Sequence, residues 1–274
     1  MAVERLTRAD DPRIAAFRDV RDGELVRSRG LFVAEGRVVV RRAVEDRRYR
    51  VHSVLVNDAA LADLACELET IDPPVPVFVC GADDLAGIAG YEVHRGCLAL
   101  VHRPTAPPVE AVIAAAETMV VLEGVTNADN VGGVFRNAAA FGADAVLLSP
   151  TCCDPLYRKA VRTSMGATLQ VPFARAGEAQ WPGVLGRVRD EGFTLVALSP
   201  RDPAETLDAF AARPRSSRLA LIVGTEGAGL TPAVEAAADC RVRIPTSGAV
   251  DSLNLAVAVG IALYVVNTRY RDST

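Results

Sequence analysis

Apolar residues in the second part of the chain form short runs, separated by segments in which they recur at helical spacing. The runs have the length and composition of buried strands, and they are Met119–Leu122, Ala145–Leu148, Leu169–Val171, Thr194–Leu198, Leu219–Val223 and Arg241–Ile244. A longer apolar helix is predicted over Ser252–Asn267. Alternation of strands and helices predicts an α/β fold, a parallel sheet with helices on both faces.

The first hundred residues show a more mixed pattern. Helical spacing covers Asp11–Arg27, Arg37–Val51 and, more briefly, Leu61–Leu68. Strand-like runs are Val54–Val56, Val75–Val79 and Leu98–His102. The proline-rich stretch Arg103–Pro108 opposes both helix and sheet. We therefore expect a small α/β domain at residues 1–104, a linker at 105–117 and a second domain at 118–274.

Polar residues precede the helix that follows the first strand of the second domain. Asn130 lies at the start of this helix and Arg136 in its second turn, while Gly142 is placed where a C-terminal glycine ends a helix. In the simplest interpretation Asn130 is a plain cap and Arg136 a surface arginine.

The strand Leu219–Val223 ends in a loop that contains three glycines and one acid, Glu226. Thr231 and Pro232 then suit the cap and first residue of a helix. A Walker phosphate loop is excluded because no Gly-Lys-Ser/Thr follows, and the glycine spacing does not match a dinucleotide-binding fingerprint.

The last polar loop, Ile244–Asn254, leads into the long apolar helix. Ser252 and Asn254 stand where this helix begins, and its first N–H groups lack partners within the helix. Taken alone, this pattern is equally typical of a well-capped buried helix.

Taken together, the three polar segments resemble the three motifs of the SpoU (TrmH-like) branch of the SPOUT RNA methyltransferases. The family pattern has an Asn with an Arg six residues later, here Asn130 and Arg136. It continues with Gly-x-Glu-Gly-x-Gly, here 224–229, and with Ile-Pro-x-x-Gly-x-Val-x-Ser-Leu-Asn, here 244–254. Order and spacing fit across residues 119–267. Ala256 departs from the pattern, since some members carry a serine there.

The resemblance implies a homodimer that binds S-adenosylmethionine in a C-terminal trefoil knot, although general topology rules disfavour knots. The cofactor would contact backbone groups of three loops, at Leu198, Ser199, Gly224, Thr225, Ile244, Pro245 and Leu253.

The implied reaction transfers a methyl group to a ribose 2′-hydroxyl of rRNA or tRNA. The catalytic residues would be Asn130, Arg136, Glu226, Ser252 and Asn254. Because a guanidinium stays protonated, we expect Arg136 to clamp the neighbouring phosphate and lower the pKa of the hydroxyl. Asn130, Ser252 and Asn254 would position ribose and phosphate. Glu226 would orient Arg136 or the motif loops, or would be a structural carboxylate that caps nearby N–H groups.

RNA is the implied partner. Arginine suits phosphate contacts better than lysine does, because its guanidinium can donate two parallel hydrogen bonds to one phosphate. Residues 27–50 hold eight arginines, and Lys159 is the only lysine of the chain. The segment 157–167 also resembles family members that act on rRNA. Phe32–Gly36 resembles the start of the ribosomal-protein-like domain that often precedes the catalytic domain in this family, which implies that residues 1–104 are an RNA-binding substrate domain. The expected RNA contacts are Arg27, Arg29, Arg41, Arg158 and Arg162, with a solvated helix face as the alternative for residues 27–50.

Composition limits the remaining classes. The net charge of −4 argues against indiscriminate polyanion binding. Six cysteines without C-x-x-C pairs and three histidines without ligand spacing indicate reduced thiols and no metal site. The charged N-terminus shows no secretory signal, and the apolar run 255–266 is too short to span a membrane, so we expect a cytoplasmic protein.

Two alternatives remain open. The chain could be a catalytically silent RNA-binding maturation factor of the same fold, or a methyltransferase that acts on a base nitrogen. An ordinary nucleotide-binding α/β enzyme would need a phosphate loop or a ribose-binding acid in a convincing context, and neither is found.

Overall fold

The computed structural model describes residues 2–8, 10–18, 22–91, 93–201, 203–214, 216–248 and 252–271. The side chains of Asp22, Arg27, His94 and residues 268–271 lie outside this description, so the predicted RNA contact of Arg27 falls outside it too.

The described residues form twelve strands and eleven helices. The strands are β1 (Ala2–Arg5), β2 (Leu31–Glu35), β3 (Arg50–Val56), β4 (Pro76–Val79), β5 (Cys97–His102), β6 (Thr118–Leu122), β7 (Ala145–Leu148), β8 (Phe173–Arg175), β9 (Thr194–Leu198), β10 (Glu205–Thr206), β11 (Leu219–Val223) and β12 (Cys240–Arg243). The helices are α1 (Asp22–Glu24), α2 (Arg37–Glu45), α3 (Asp58–Glu69), α4 (Ala82–Ala89), α5 (Val109–Ala115), α6 (Ala128–Phe141), α7 (Arg158–Thr163), α8 (Val184–Asp190), α9 (Leu207–Ala212), α10 (Pro232–Ala237) and α11 (Leu255–Arg271). Short 3-10 turns span Pro12–Phe17, His94–Gly96 and Ala167–Leu169, and Leu25–Arg29 is π-helical.

One compact unit contains the residues up to Thr105 together with Pro155–Leu169. Its mixed sheet has the order β1-β4-β3-β5-β2, in which β5 is antiparallel to both β3 and β2. Strand β2 is buried along its whole length. Apolar side chains such as Ile14, Leu55 and Leu98 fill the core of this unit.

Residues 155–169 depart from the expected domain boundaries, because they group with the first unit instead of the second. The backbone of their last turns is held by side chains of the first unit. Arg42 Nη1 donates to the Met165 carbonyl at 2.8 Å, and Tyr49 Oη donates to the Leu169 carbonyl at 3.0 Å. Long-range bonds of this kind leave no trace in local sequence periodicity.

The second unit contains Ala106–Asp154 and the residues from Gln170 onward. Its seven strands are all parallel and have the order β10-β12-β9-β11-β6-β7-β8. The predicted α/β fold with a parallel sheet is therefore confirmed. Strands β9, β11 and β12 are neighbours, so their carboxyl ends meet at one edge, where open parallel sheets bind ligands.

Local signals placed two helix ends correctly and misplaced a third. Gly142 ends α6 with a left-handed φ of 74°. The cap of α6 is Asn127, which accepts a hydrogen bond from the Asp129 N–H at 2.8 Å, whereas Asn130, the residue expected as a plain cap, lies inside the helix. Thr231 likewise caps α10, with Pro232 in its first turn.

Other predicted elements are wrong in extent or type. The linker at 105–117 contains α5, whose Val109, Val112 and Ile113 are buried in the core of the second unit. The strand predicted at Leu169–Val171 is absent from the described structure, and Phe173–Arg175 pairs with β7 instead. A short apolar run indicates burial but does not by itself distinguish a strand from a turn.

Two predicted N-terminal helices also differ in extent. The first is interrupted, because a 3-10 turn ends at Phe17, where Arg18 is extended, and helical residues occur again at Asp22–Glu24 and Leu25–Arg29. The second ends at Glu45, because Asp46 is extended and the chain enters β3 at Arg50. Within the described residues, no helix combines the length and the apolar character that crossing a membrane requires.

Candidate functional site

A cavity of about 460 Å³ opens at the carboxyl ends of β9, β11 and β12. We call it the strand-end cavity. Its volume is that of a typical small-molecule site. Its walls are the loops that follow these three strands and the start of α11: Leu198, Ser199, Pro200, Arg201, Val223, Gly224, Thr225, Glu226, Gly227, Gly229, Leu230, Ile244, Thr246, Ser252, Leu253, Leu255 and Ala258.

Most residues expected to contact a cofactor line this cavity. Six of the seven do so, namely Leu198, Ser199, Gly224, Thr225, Ile244 and Leu253. Pro245 does not line it, although its neighbours Ile244 and Thr246 do. The sequence interpretation missed Arg201, a cationic side chain whose Nη2 donates to the Ala228 carbonyl at 2.8 Å. Its position directly after the 198–200 loop was the available signal.

The loop that contains Gly224 leaves no room for a side chain at this position. A Cβ built at this position would lie 2.3 Å from the carbonyl carbon of Gly229, which is closer than packed atoms approach. Thr225 and Gly229 pair across the loop, and the Gly229 N–H donates to the Thr225 carbonyl at 3.0 Å. Gly224 therefore allows two backbone segments of one loop to meet.

A chain of hydrogen bonds joins the three sequence motifs. Asn254 Nδ2 donates to Asn130 Oδ1 at 3.0 Å and to Glu226 Oε1 at 3.1 Å. Asn130 is buried, whereas Glu226 and Asn254 are exposed. Residues 124 positions apart are thus brought to one point beside the strand-end cavity.

The same side chains cap α11. Asn254 Oδ1 accepts hydrogen bonds from the N–H groups of Ala256 at 3.0 Å and Val257 at 3.3 Å. Glu226 Oε1 also accepts from the Leu255 N–H at 3.4 Å. These contacts support the alternative in which Glu226 is a capping carboxylate, and the helix N-terminus favours its negative charge.

We expect Glu226→Ala to lower the free energy of unfolding by about 1–2 kcal/mol, because two accepted hydrogen bonds are lost. Glu226→Gln keeps an oxygen at the same place and should change stability by less than about 0.5 kcal/mol. Urea denaturation of the two variants measures the difference. Equal stability of both would show that the capping contacts contribute nothing.

Arg136 is separated from this hydrogen-bonded cluster. Its side chain is exposed on α6 and does not line the strand-end cavity. Among the described residues it has no hydrogen bond, ion pair or ring contact. Ser252, by contrast, lines the cavity. A single chain thus brings together Asn130, Glu226, Ser252 and Asn254, and leaves Arg136 outside.

Helices α6 and α11 pack at very short range. A Cβ on Gly133 would lie 2.6 Å from the Cβ of Ala256, and a Cβ on Gly260 would meet the Asn137 amide at 3.0 Å. Asn137 also donates to the Ala256 carbonyl. Close packing on Gly133 thus favours a small side chain at Ala256, the one departure from the family pattern.

The arginines expected to contact RNA have different surroundings. Arg158 Nη1 lies 3.0 Å from Oε2 of buried Glu35, and its guanidinium stacks on the Tyr91 ring at 3.6 Å. Arg41 pairs with Glu67 and Asp63. Arg29 is exposed, and Arg162 is partly exposed at the rim of a separate cavity in the first unit. RNA contact by these four residues stays a prediction.

The cysteine side chains form no disulfide among the described residues. Burial raises the pKa of the Cys97 thiol to about 12 and that of Cys80 to about 11. Both thiols are therefore protonated and unreactive near neutral pH. In the described part of the chain, no three His, Cys, Asp or Glu residues cluster as metal ligands would.

Comparison with known proteins identifies the family. The sequence model of the SpoU rRNA Methylase family matches residues 117–264. An uncharacterized tRNA/rRNA methyltransferase of Mycobacterium tuberculosis is 42% identical over 259 residues, which cover 93% of this chain and 88% of the relative. The 23S rRNA (guanosine(2553)-2′-O)-methyltransferase RlmP of Bacillus subtilis is 28% identical over 85% of this chain and 87% of its own.

Solved structures share the fold. The crystal structure of an AdoMet-bound rRNA methyltransferase from Sinorhizobium meliloti superposes with a TM-score of 0.79, at 24% identity, over 97% of this chain and 98% of its own. This chain therefore shares the fold of that methyltransferase. Together with the family match, this places the chain in the SpoU rRNA methylase family, whose members methylate tRNA or rRNA with S-adenosylmethionine.

Proposed function

We propose that this enzyme transfers the methyl group to a ribose 2′-hydroxyl of rRNA or tRNA. The observation that carries the proposal is the Asn130–Asn254–Glu226 hydrogen-bonded cluster beside the strand-end cavity, of which Glu226 forms part of the wall. Amide and carboxylate groups can orient a ribose and its phosphate by hydrogen bonds. The relative named as a 2′-O-methyltransferase supports the choice of a ribose oxygen.

The lining of the strand-end cavity fits S-adenosylmethionine. Leu198, Ile244 and Leu253 give apolar walls against which a flat adenine can pack. Arg201 and Glu226 bring opposite charges to the same cavity, which suits the carboxylate and the cationic groups of this cofactor. When bound, the cofactor supplies an electrophilic methyl group attached to a sulfonium.

The residues of the chain must then make the ribose hydroxyl a better nucleophile. The Asn254 amide already donates to Asn130 and Glu226, so its orientation is fixed before RNA arrives. Ser252 offers a hydroxyl at the cavity wall. Arg136 clamps the neighbouring phosphate and stabilises the developing alkoxide, and the hydroxyl proton leaves to a phosphate oxygen or water.

The position of Arg136 supports a shared active site in a homodimer. Its guanidinium lies outside the cavity of its own chain, so a second copy is the natural source of the missing cation. Large apolar side chains are also exposed on α11, with exposed fractions of 50% for Val257, 37% for Ile261 and 56% for Tyr264. These three residues recur at helical spacing and form one apolar stripe, which suits an isologous contact.

We expect Ile261→Asp to convert the dimer to monomers and to lower methyl transfer by at least tenfold. A charge in the centre of an apolar interface is left without water or a partner. Light scattering coupled to size exclusion measures the mass. Val3→Asp is the matched control, because Val3 is exposed to 42% in the other unit. A monomeric wild type, or a dimeric Ile261→Asp variant, would contradict this interface.

We also propose that the C-terminal part of the chain is threaded into a trefoil knot. The sheet order supports this proposal, because β9 lies between β11 and β12. The chain therefore passes from one side of β9 to the other between these two strands. The segment after β12 then returns to the loop after β11, where Asn254 meets Glu226. An experimental backbone without a threaded loop would contradict the proposal.

The position of the transferred methyl group tests the function. RNA from cells that lack the protein is incubated with the purified enzyme and S-adenosylmethionine that carries a CD₃ group. Nucleoside mass spectrometry then locates the label by fragmentation into base and sugar. We expect label on the ribose. Label on a base would favour the base-nitrogen alternative, and no label would favour a catalytically silent RNA-binding factor.

A further inference from the structure

The first unit contains a cavity of about 240 Å³ that the methyl-transfer site does not use. Its walls come from the end of β2 and the start of α2, from the turn before β5, and from α7 and the segment that follows it. Its lining residues are Glu35, Gly36, Arg37, Val38, Val39, Arg95, Arg162 and Met165. We call it the arginine pocket. All of these residues belong to the first unit.

Positive charge dominates the lining. Arg37, Arg95 and Arg162 come from three separate segments of the chain and meet at one concave surface. The single acid of the lining, Glu35, is fully buried and is neutralised by Arg158, which lies 3.0 Å away but is not part of the wall. With Glu35 neutralised in this way, the three arginines leave the pocket strongly cationic.

The arginines keep donor groups available for a ligand. Arg37 makes a 3.3 Å hydrogen bond to the Arg95 carbonyl through Nε and a long 3.7 Å pair with exposed Asp63. Arg162 approaches Glu35 only to 4.0 Å. A guanidinium carries five N–H donors, so these contacts leave most of each donor fork unused.

The backbone adds to the positive potential. Helix α2 starts in the pocket with Gly36 as its cap, at a φ of 93°, and no side chain caps its first N–H groups. Nor does its first turn contain an acidic residue. The partial positive charge of a helix N-terminus therefore faces the same space as the arginines.

Unfavourable backbone conformations coincide with the pocket. Arg95 and Met165 are the non-glycine residues with positive φ in the described part of the chain, at 59° and 54°, and both line the pocket. Non-glycine residues in this region are held there by the surrounding structure and cluster at ligand sites. Both residues therefore help to shape this wall.

We propose that the arginine pocket binds a backbone phosphate of the RNA substrate. The inference rests on the proposed function in one respect, namely that RNA is the substrate. Forked arginine donors and a helix N-terminus match the oxygens of a phosphate diester. A contact to a backbone phosphate positions the RNA and carries no sequence information.

RNA affinity measured against salt concentration tests the pocket. The double variant Arg37→Ala/Arg95→Gly removes two lining cations, and glycine adopts the Arg95 backbone conformation without strain. The matched control is Arg5→Ala/Arg8→Ala, which removes two exposed cations from the same unit, each paired with its own aspartate. The probe is unmodified rRNA from cells lacking the protein, read by fluorescence anisotropy between 50 and 200 mM salt, a range over which phosphate contacts weaken markedly.

We expect the pocket variant to bind this RNA about tenfold more weakly. The plot of the logarithm of the association constant against the logarithm of salt concentration has a negative slope. Its magnitude should decrease by about 0.7–0.9, the value for one lost phosphate contact. The control should keep the wild-type slope, and S-adenosylmethionine affinity should be unchanged in both variants. If the double variant does not fold, Arg95→Gly alone serves as the test variant.

An unchanged slope in the pocket variant, or an equal loss in the control, would overturn the assignment. Wild-type protein that does not bind RNA would overturn it as well. The two proposals fail separately. If RNA affinity depends on the pocket but no ribose is methylated, only the proposed function is contradicted. If ribose is methylated but the pocket variant keeps the wild-type salt dependence, only the pocket assignment is contradicted.

Discussion

Replacement of Arg136 by alanine is expected to lower the rate of methyl transfer to RNA by about 10²- to 10³-fold, the usual cost of losing one preorganised group that stabilises developing charge. Its side chain is exposed, lies outside the strand-end cavity and has no partner among the described residues. Its loss should therefore leave both folding and cofactor affinity nearly unchanged. Single-turnover methylation and calorimetry with S-adenosylmethionine separate the two effects.

Arg136→Lys is the informative companion variant. It keeps the charge but loses the planar fork that binds phosphate at two oxygens, so we expect partial activity between those of wild type and alanine. A parallel loss of cofactor binding in Arg136→Ala would show that the residue is structural. Unchanged turnover would remove it from the mechanism.

The second large effect concerns stability. Arg158→Ala is expected to lower the free energy of unfolding by about 3–5 kcal/mol, because it leaves a buried carboxylate without its main counter-charge. The Glu35 side chain is 0% exposed and its Oε2 lies 3.0 Å from Arg158 Nη1. Arg162 lies 4.0 Å from the Glu35 carboxylate and partly offsets the loss of Arg158. We therefore expect the loss of stability to be near the lower end of this range. Urea denaturation followed by circular dichroism measures the loss.

A double variant distinguishes the ion pair from simple packing. Arg158→Met/Glu35→Gln removes both charges and keeps most of the volume, so it should recover much of the lost stability. If the double variant is as unstable as Arg158→Ala, the stacking of Arg158 on Tyr91 is the more important contact.

The elements that sequence predicted well are those fixed by local chemistry. The strands Ala145–Leu148, Thr194–Leu198 and Leu219–Val223 are correct to the residue, because each is a short apolar run bounded by turn residues. The helix ends at Gly142 and Thr231 were predicted equally well. The assignment of 155–169 to the second domain was wrong because carbonyl groups of that segment are held by side chains more than a hundred positions away.

The candidate site shows the same division. Motif order indicated that Asn130, Glu226 and Asn254 act together, and their hydrogen bonds place them at one point. Sequence could not show that Gly229 leaves no room for a side chain at position 224 across the same loop. The arginine pocket also could not be predicted from sequence, because its cations come from three separate segments of the chain.

The central claim is that two copies of the chain build each active site, and mixing two inactive variants tests it most directly. Arg136→Ala keeps an intact cavity, whereas Gly224→Ala places a Cβ 2.3 Å from the Gly229 carbonyl carbon and should disrupt the cavity. The Gly224→Ala protein must first be shown to be a dimer without cofactor affinity. After subunit exchange, half of the dimers are mixed and each contains one complete site, so about a quarter of wild-type ribose methylation should return. A mixture that stays inactive, although mass spectrometry detects the mixed dimers, would contradict the account.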